Sequence, residues 1–186
     1  MRDALIVIDV INRFEHEDAD ALLASFRERV DAMADAIASA RERGIPVIYV
    51  NDQDGSWESD APALVRAALG ARGGDVIEQV APWPGDPVLL KAKYSVFDHT
   101  SLELLLQELE VERLLLLGAA TEGCVVQSGI DARERGLKVT ILADACATVD
   151  PHLEEVALLY AREVGGMRID GKLSAASRSS ATADGS

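Results

Sequence analysis

Cysteine is scarce in this chain: there are two in 186 residues, Cys124 and Cys146, and no Cys-x-x-Cys pair. That excludes a disulfide framework. Positive charge is also short. Eighteen Lys and Arg stand against 32 Asp and Glu, giving a net charge of −14 with no basic cluster. Nucleic acid and anionic membrane surfaces are therefore poor partners, and the acidity reads as a solubility feature. No apolar run approaches the ~20 residues of a membrane span. The chain opens on a strand pattern rather than on a basic segment followed by an apolar one, so a reducing cytoplasm is the expected location. A glycine-rich phosphate loop is missing too. Ala4–Asp9 is followed by Val10-Ile11-Asn12, which argues against a nucleotide- or flavin-binding module.

What is present is a well-packed globular composition, 48% hydrophobic, arranged as alternating strands and helices. Strand patterns fall at Ala4–Asp9, Pro46–Asn51, Val88–Lys91, Arg113–Leu117, Leu137–Ala143 and Met167–Asp170. The longest helix pattern runs over Asp20–Arg43, where Leu22, Phe26, Val30, Met33 and Ile37 form one stripe and Gly44 is the stop. Ala61–Leu69 reads as a short helix, and Gly70–Gly85 as irregular chain around Pro82-Trp83-Pro84. Thr100-Ser101-Leu102-Glu103 reads as a capping box. Asp150-Pro151 caps a last helix. Ser174–Ser186 reads as a flexible tail, leaving residues 1–171 as one domain. Short apolar strands separated by helices imply an α/β three-layer sandwich, with a six-stranded, mainly parallel sheet covered on both faces.

In such sheets ligands bind beyond the carboxyl ends of the strands. Asp9, Asn51 with Asp52, and Lys91 end the first three strands, and Cys124 follows the fourth. Thr121 reads as an N-cap, placing Cys124 at a helix start, where peptide N–H groups and the helix dipole favour a thiolate. A carboxylate, an ammonium and a thiol on one edge suit amide hydrolysis. Asp9 would take the thiol proton, Lys91 would hold the charge, and the Ala120 and Cys124 amides would hold an oxyanion, at on the order of 3 kcal/mol per donor. Lys93 shares the strand face of Lys91, so alternation alone does not exclude it. Cys146 reads as structural, and His16-Glu17-Asp18-Ala19-Asp20 as a solvated loop entering a helix.

Three segments in this order carry a resemblance. Asp9, Lys91-Ala92-Lys93-Tyr94-Ser95-Val96-Phe97 and Gly118-Ala119-Ala120-Thr121-Glu122-Gly123-Cys124-Val125 resemble the isochorismatase-like cysteine hydrolases, over nearly the whole chain to about Ile169. The resemblance implies a catalytic triad of Asp9, Lys91 and Cys124, with Lys91 favoured over Lys93. It also implies a cis peptide at Ala119–Ala120 that turns the Ala120 N–H toward the site. A small-molecule substrate and a dimeric or tetrameric homo-oligomer are implied as well, with no cofactor. The vinyl-ether branch of the family lacks the cysteine and uses the aspartate alone, so Cys124 favours C–N hydrolysis. The nicotinamidase branch carries Asp-x-His after the second strand. Here that place reads Asp52-Gln53-Asp54, and the histidines are His16, His99 and His152, so no metal is expected. Asn12 and Phe14 match the family's turn after the aspartate, with Arg13 a less familiar neighbour. Asn12, Phe14, Asn51, Trp57, Trp83 and Tyr94 are the candidate substrate contacts. Trp57 and Trp83 are equally candidates for an oligomer interface. Outside the C–N reading stand a vinyl-ether hydrolase using Asp9 and a non-catalytic ligand-binding or redox-sensing member of the fold.

Overall fold

The computed structural model of the chain describes residues 1–53, 55 and 60–171. Trp57 and the tail from residue 172 therefore lie outside the described residues. In chain order the elements are β1 (Asp3–Ile8), α1 (Ala19–Glu42), β2 (Val47–Asp52), α2 (Ala61–Leu69), α3 (Gly74–Val80), β3 (Val88–Lys91), α4 (Leu102–Glu108), β4 (Arg113–Gly118), a π-helical turn (Thr121–Val125) continuing into α5 (Val126–Glu134), β5 (Lys138–Cys146), α6 (Pro151–Glu163) and β6 (Arg168–Asp170). The six strands form one sheet in the order β3-β2-β1-β4-β5-β6, and every pairing is parallel.

The sheet centre is apolar because both of its faces are covered. β1 and β4 are buried along all but their first residue. Leu116 is 0% exposed, and truncating it to alanine should cost about 2–5 kcal/mol. α1 lays Leu22, Phe26, Val30, Met33 and Ile37 on the core, as its stripe requires. It ends at Gly44, φ +66°, where the Ile45 amide donates to the Ala40 carbonyl, a left-handed helix stop. Asp150 caps α6 as its sequence implies, accepting from the His152 and Leu153 amides. No helix among the described residues is long and apolar enough to cross a membrane.

Two local expectations fail. Gly70–Gly85 is not irregular throughout, because Gly74–Val80 forms α3 and buries Val76, Ile77 and Val80. Seven residues between glycines and a Pro-Trp-Pro run carry too little periodicity to register. Packing against α1, with the Arg27–Asp75 ion pair at 2.6 Å, supplies what local propensity does not. The capping box at Thr100–Glu103 does not form. Ser101 makes no side-chain cap, the Thr100 hydroxyl accepts from the Leu102 amide instead, and Glu103 turns to Arg135.

The strand order reverses at β1, since the chain moves outward through β2 and β3 and then returns to β4 on β1's other side. Successive right-handed connections therefore leave a crevice above the carboxyl ends of β1 and β4. One close approach sets its floor. Gly118, at φ +125°, faces the Ile8 carbonyl so closely that a β-carbon there would sit 2.0 Å from its oxygen.

Candidate active site

Asp9 follows β1 directly and adopts a left-handed conformation, φ +50°, which aspartate tolerates better than most residues. That turn points its carboxylate sideways along the strand ends. One oxygen accepts from the Asp52 amide at 2.6 Å, and the other pairs with the Lys91 ammonium at 2.8 Å. Lys91, the last residue of β3, is 3% exposed. It also donates to the Cys124 sulfur at 3.4 Å and to the Lys93 carbonyl at 2.9 Å. The Asp9 charge also acts directly on the Cys124 thiol. The three groups thus close a triangle. Lys93 is exposed and contributes its carbonyl to Lys91, so geometry separates two lysines that strand alternation left equivalent.

The electrostatics differ from the sequence expectation. Burial, and then the Asp9 charge, push the Cys124 thiol up to about 12, against a lowering by Lys91. The helix-start argument for a resting thiolate fails for a structural reason. Cys124 lies inside a π-helical turn, in a partly buried pocket beside a carboxylate, rather than exposed at an α-helix terminus. Burial also raises Asp9 above its ordinary value, although Lys91 opposes it. Burial works to lower Lys91, but the Asp9 charge and its contacts with Asp9 and Cys124 outweigh it, and its pKa stands above the ordinary value. One ammonium and one shared proton leave the triangle neutral, and removing that proton would leave a buried net charge. The singly protonated, neutral cluster is therefore the favoured state.

The turn bearing Cys124 is anchored from beneath. Thr121 is not the N-cap its sequence implies. It is 0% exposed, its amide and hydroxyl both donate to the Ala147 carbonyl, and its hydroxyl also contacts Glu154 at 2.8 Å. The Glu154 carboxylate is gripped by both Arg29 terminal nitrogens, at 2.5 and 2.7 Å, and Arg29 also reaches the Cys146 carbonyl. Ala120 occupies the cap position instead, and the Ala119–Ala120 peptide is cis. Glu122 accepts from the Thr148 hydroxyl and from the Val149 and Asp150 amides. On the far side of Cys124, the Ser128 hydroxyl donates to the Cys124 carbonyl at 2.5 Å.

Above the triangle opens a cleft of about 970 Å³, lined by Asp9, Lys91, Ala120 and Cys124 among others. Of the candidate substrate contacts, Asn12, Asn51 and Tyr94 line it. Tyr94 is 71% exposed at the mouth. Asn12 spends its side-chain oxygen on the Phe14 amide. Asn51 is buried and clamps the Ile11 backbone through both N–H and C=O, so its visible work is shaping the turn after β1. Phe14 is not a substrate contact. It is 2% exposed and packs edge-on against Phe26, because its left-handed backbone turns the ring into the core. Trp83 is not at the cleft either. Its ring lies under the Arg41 guanidinium at 3.9 Å, where the Arg41–Asp86 pair holds it. Trp57 lies outside the described residues.

Sequence reasoning missed Arg13, Glu15, His16, Ser95, Asp98 and Gln127, which also line the cleft. His16 belongs to the stretch read as a solvated loop, and Glu15 immediately precedes it. Their exposure is real, but it is exposure to the cleft. Contiguity with Asn12 was the one signal that could have found them. Among the described residues no three His, Cys, Asp or Glu side chains gather as metal ligands. Asp52, which ends β2, and Gln53 after it include no histidine.

A half-buried thiol between a carboxylate and an ammonium, at the switch point of a parallel sheet, defines a hydrolase-like α/β protein. The comparisons agree. Residues 3–172 match the Isochorismatase domain, and the chain belongs to that family. It is 32% identical over 161 residues to the uncharacterized isochorismatase family protein YaaI of Bacillus subtilis (strain 168), covering 87% of this chain and 89% of that one. It is 29% identical over 161 residues to maleamate amidohydrolase of Pseudomonas putida, covering 81% and 76%. Among solved structures, nicotinamidase/pyrazinamidase PncA from Bacillus subtilis superposes with a TM-score of 0.74 at 25% identity, covering 91% of this chain and 100% of that one. The family thus includes amidohydrolases, enzymes that cut C–N bonds.

Proposed function

We propose that this protein is a metal-independent cysteine hydrolase that cleaves a small amide, or a related C–N bond, through a thioester on Cys124. The observation that carries the reading is the single Lys91 ammonium, which reaches both the Asp9 carboxylate and the Cys124 sulfur at the floor of the cleft.

Asp9 takes the thiol proton as Cys124 attacks the carbonyl carbon. The Ala120 and Cys124 backbone amides hold the oxygen that becomes negative, and Lys91 keeps the site's charge balanced. The C–N bond breaks as Asp9 passes the proton to the departing amine. Water, deprotonated by Asp9, then attacks the thioester, and collapse releases the acid and returns the proton to sulfur. A raised thiol pKa suits this cycle. A resting thiol beside its own base makes the thiolate only when substrate is in place.

Exposure of the protein to an amide library, followed by intact mass spectrometry, tests the reading. A trapped acyl adduct on Cys124 is expected, together with loss of turnover in folded Cys124→Ala. A Cys124→Ala variant with normal turnover would sink it. One observation favours a second reading. Burial raises Asp9, and a raised carboxyl can serve as a general acid toward a vinyl ether without a covalent intermediate. In that case Cys124→Ala keeps its activity and Asp9→Ala does not.

A further inference from the structure

Ser128 lies one helical turn beyond Cys124 in α5 and is 0% exposed. A serine at such a place often satisfies only its own helix. Here its hydroxyl does two things. It donates to the Cys124 carbonyl at 2.5 Å and accepts from the Val96 amide at 3.1 Å. Val96 belongs to the segment that leaves β3 directly after Lys91 and carries Lys93, whose carbonyl accepts from Lys91. The neighbouring Ser95 hydroxyl accepts from the Phe97 amide, and the Thr100 hydroxyl returns to the Val96 carbonyl at 2.6 Å. The lysine-bearing segment is thus internally tied, and its amide-to-hydroxyl link to the cysteine-bearing helix passes through one oxygen.

We propose that Ser128 is a positioning residue that couples the Lys91 segment to the Cys124 turn and so sets the ammonium-to-sulfur distance in the proposed cysteine hydrolase. The inference rests on the proposed mechanism only for its effect on turnover. Its effect on the thiol exists without substrate. β3 and α5 come from opposite halves of the sheet, and no strand pairing links β3 to β4. The sheet ladder therefore ties Lys91 to the Cys124 turn only by way of β2 and β1. The Ser128 hydroxyl, buried with a partner on each side, spans the crevice directly and is a shorter link. Removing it leaves a buried amide and a buried carbonyl to find other partners.

The test is iodoacetamide alkylation of Cys124 against pH in the intact protein, alongside steady-state turnover. Thr140→Val, which removes a buried hydroxyl from β5, serves as the control. Ser128→Ala is expected to slow alkylation at pH 9 by about fivefold, because the ammonium that favours the thiolate no longer sits over it. It is also expected to lower kcat by about tenfold with KM within about twofold, the pattern of a misplaced reacting group. Thr140→Val should change neither. Unchanged alkylation in Ser128→Ala overturns the proposal, and so does faster alkylation, which would mean simple loosening of the turn. If Ser128→Ala does not fold, the isosteric pair Ser128→Thr and Ser128→Val decides. The threonine variant should alkylate about fivefold faster than the valine variant, and equal rates overturn the proposal. Slowed alkylation with no amide turned over by wild type would keep Ser128's role and reject the hydrolase reading instead.

Discussion

Cys124 and Cys146 share one chemistry and meet different surroundings. Burial pushes both thiols up to about 12, so resting acidity does not tell them apart. Cys146 ends β5 fully buried, with its sulfur 3.3 Å from the Leu142 carbonyl and no entry from the cleft. Cys124 has a carboxylate to take its proton, an ammonium 3.4 Å away, and open volume above it. The proposed nucleophile is set apart by where its proton can go and what can reach it, rather than by a low pKa.

The largest break in that comparison should come from deleting each sulfur. Cys124→Ala should lower turnover by at least about 10⁴-fold while the protein stays folded. Cys146→Ala should leave turnover within about twofold and cost about 1–3 kcal/mol in denaturant unfolding. Asp9→Asn should separate reactivity from catalysis. Turnover should fall by about 10²–10⁴-fold for want of a base. The Cys124 pKa should fall as well, because the carboxylate that raises it is gone while Lys91 remains. Each unit of that fall gives about tenfold more thiolate, so iodoacetamide at pH 8 should modify the inactive variant faster than wild type. Cys146 should be indifferent to the change.

Lys91→Met should act in the opposite direction on the thiol. Losing the ammonium pushes Cys124 further up and slows alkylation. It also strands the Asp9 carboxylate, at about 3–5 kcal/mol of stability, readable by thermal and denaturant melts. The smallest effect is the pH profile. A base must be deprotonated to act, and Asp9 lies above its ordinary 3.8. Activity should therefore be lost on acidification at a pH higher than a free aspartate would give, and the acid limb of kcat/KM reads this directly.

Much of this was legible in the chain. All six strands fall on the predicted segments, although β5 runs on past Ala143 to Cys146; the central ones stand out because strands buried on both faces admit few polar residues. Asp9, Lys91 and Cys124 were findable because each ends or follows a strand, and a parallel sheet collects strand ends on one edge. What was not legible depends on contacts between distant segments. Phe14 faces the core because of a left-handed backbone angle that no periodicity encodes. Trp83 is drawn to Arg41, 42 positions earlier in the chain. Thr121 has the composition of a cap, yet Glu154 and Arg29 enclose it. α3 forms where the local pattern was too short to outweigh its glycines and prolines.

Gly118 has a further consequence. Its missing side chain is what allows β1 and β4 to meet at the Ile8 carbonyl, immediately before Asp9 on one strand and the Ala119–Ala120 turn on the other. It works as a feeler gauge between the two halves of the sheet. Any larger residue would act as a shim, prying Asp9 away from Cys124 without touching either. Damage to this enzyme need not enter its cleft, since one methyl group at the floor would misalign everything above it.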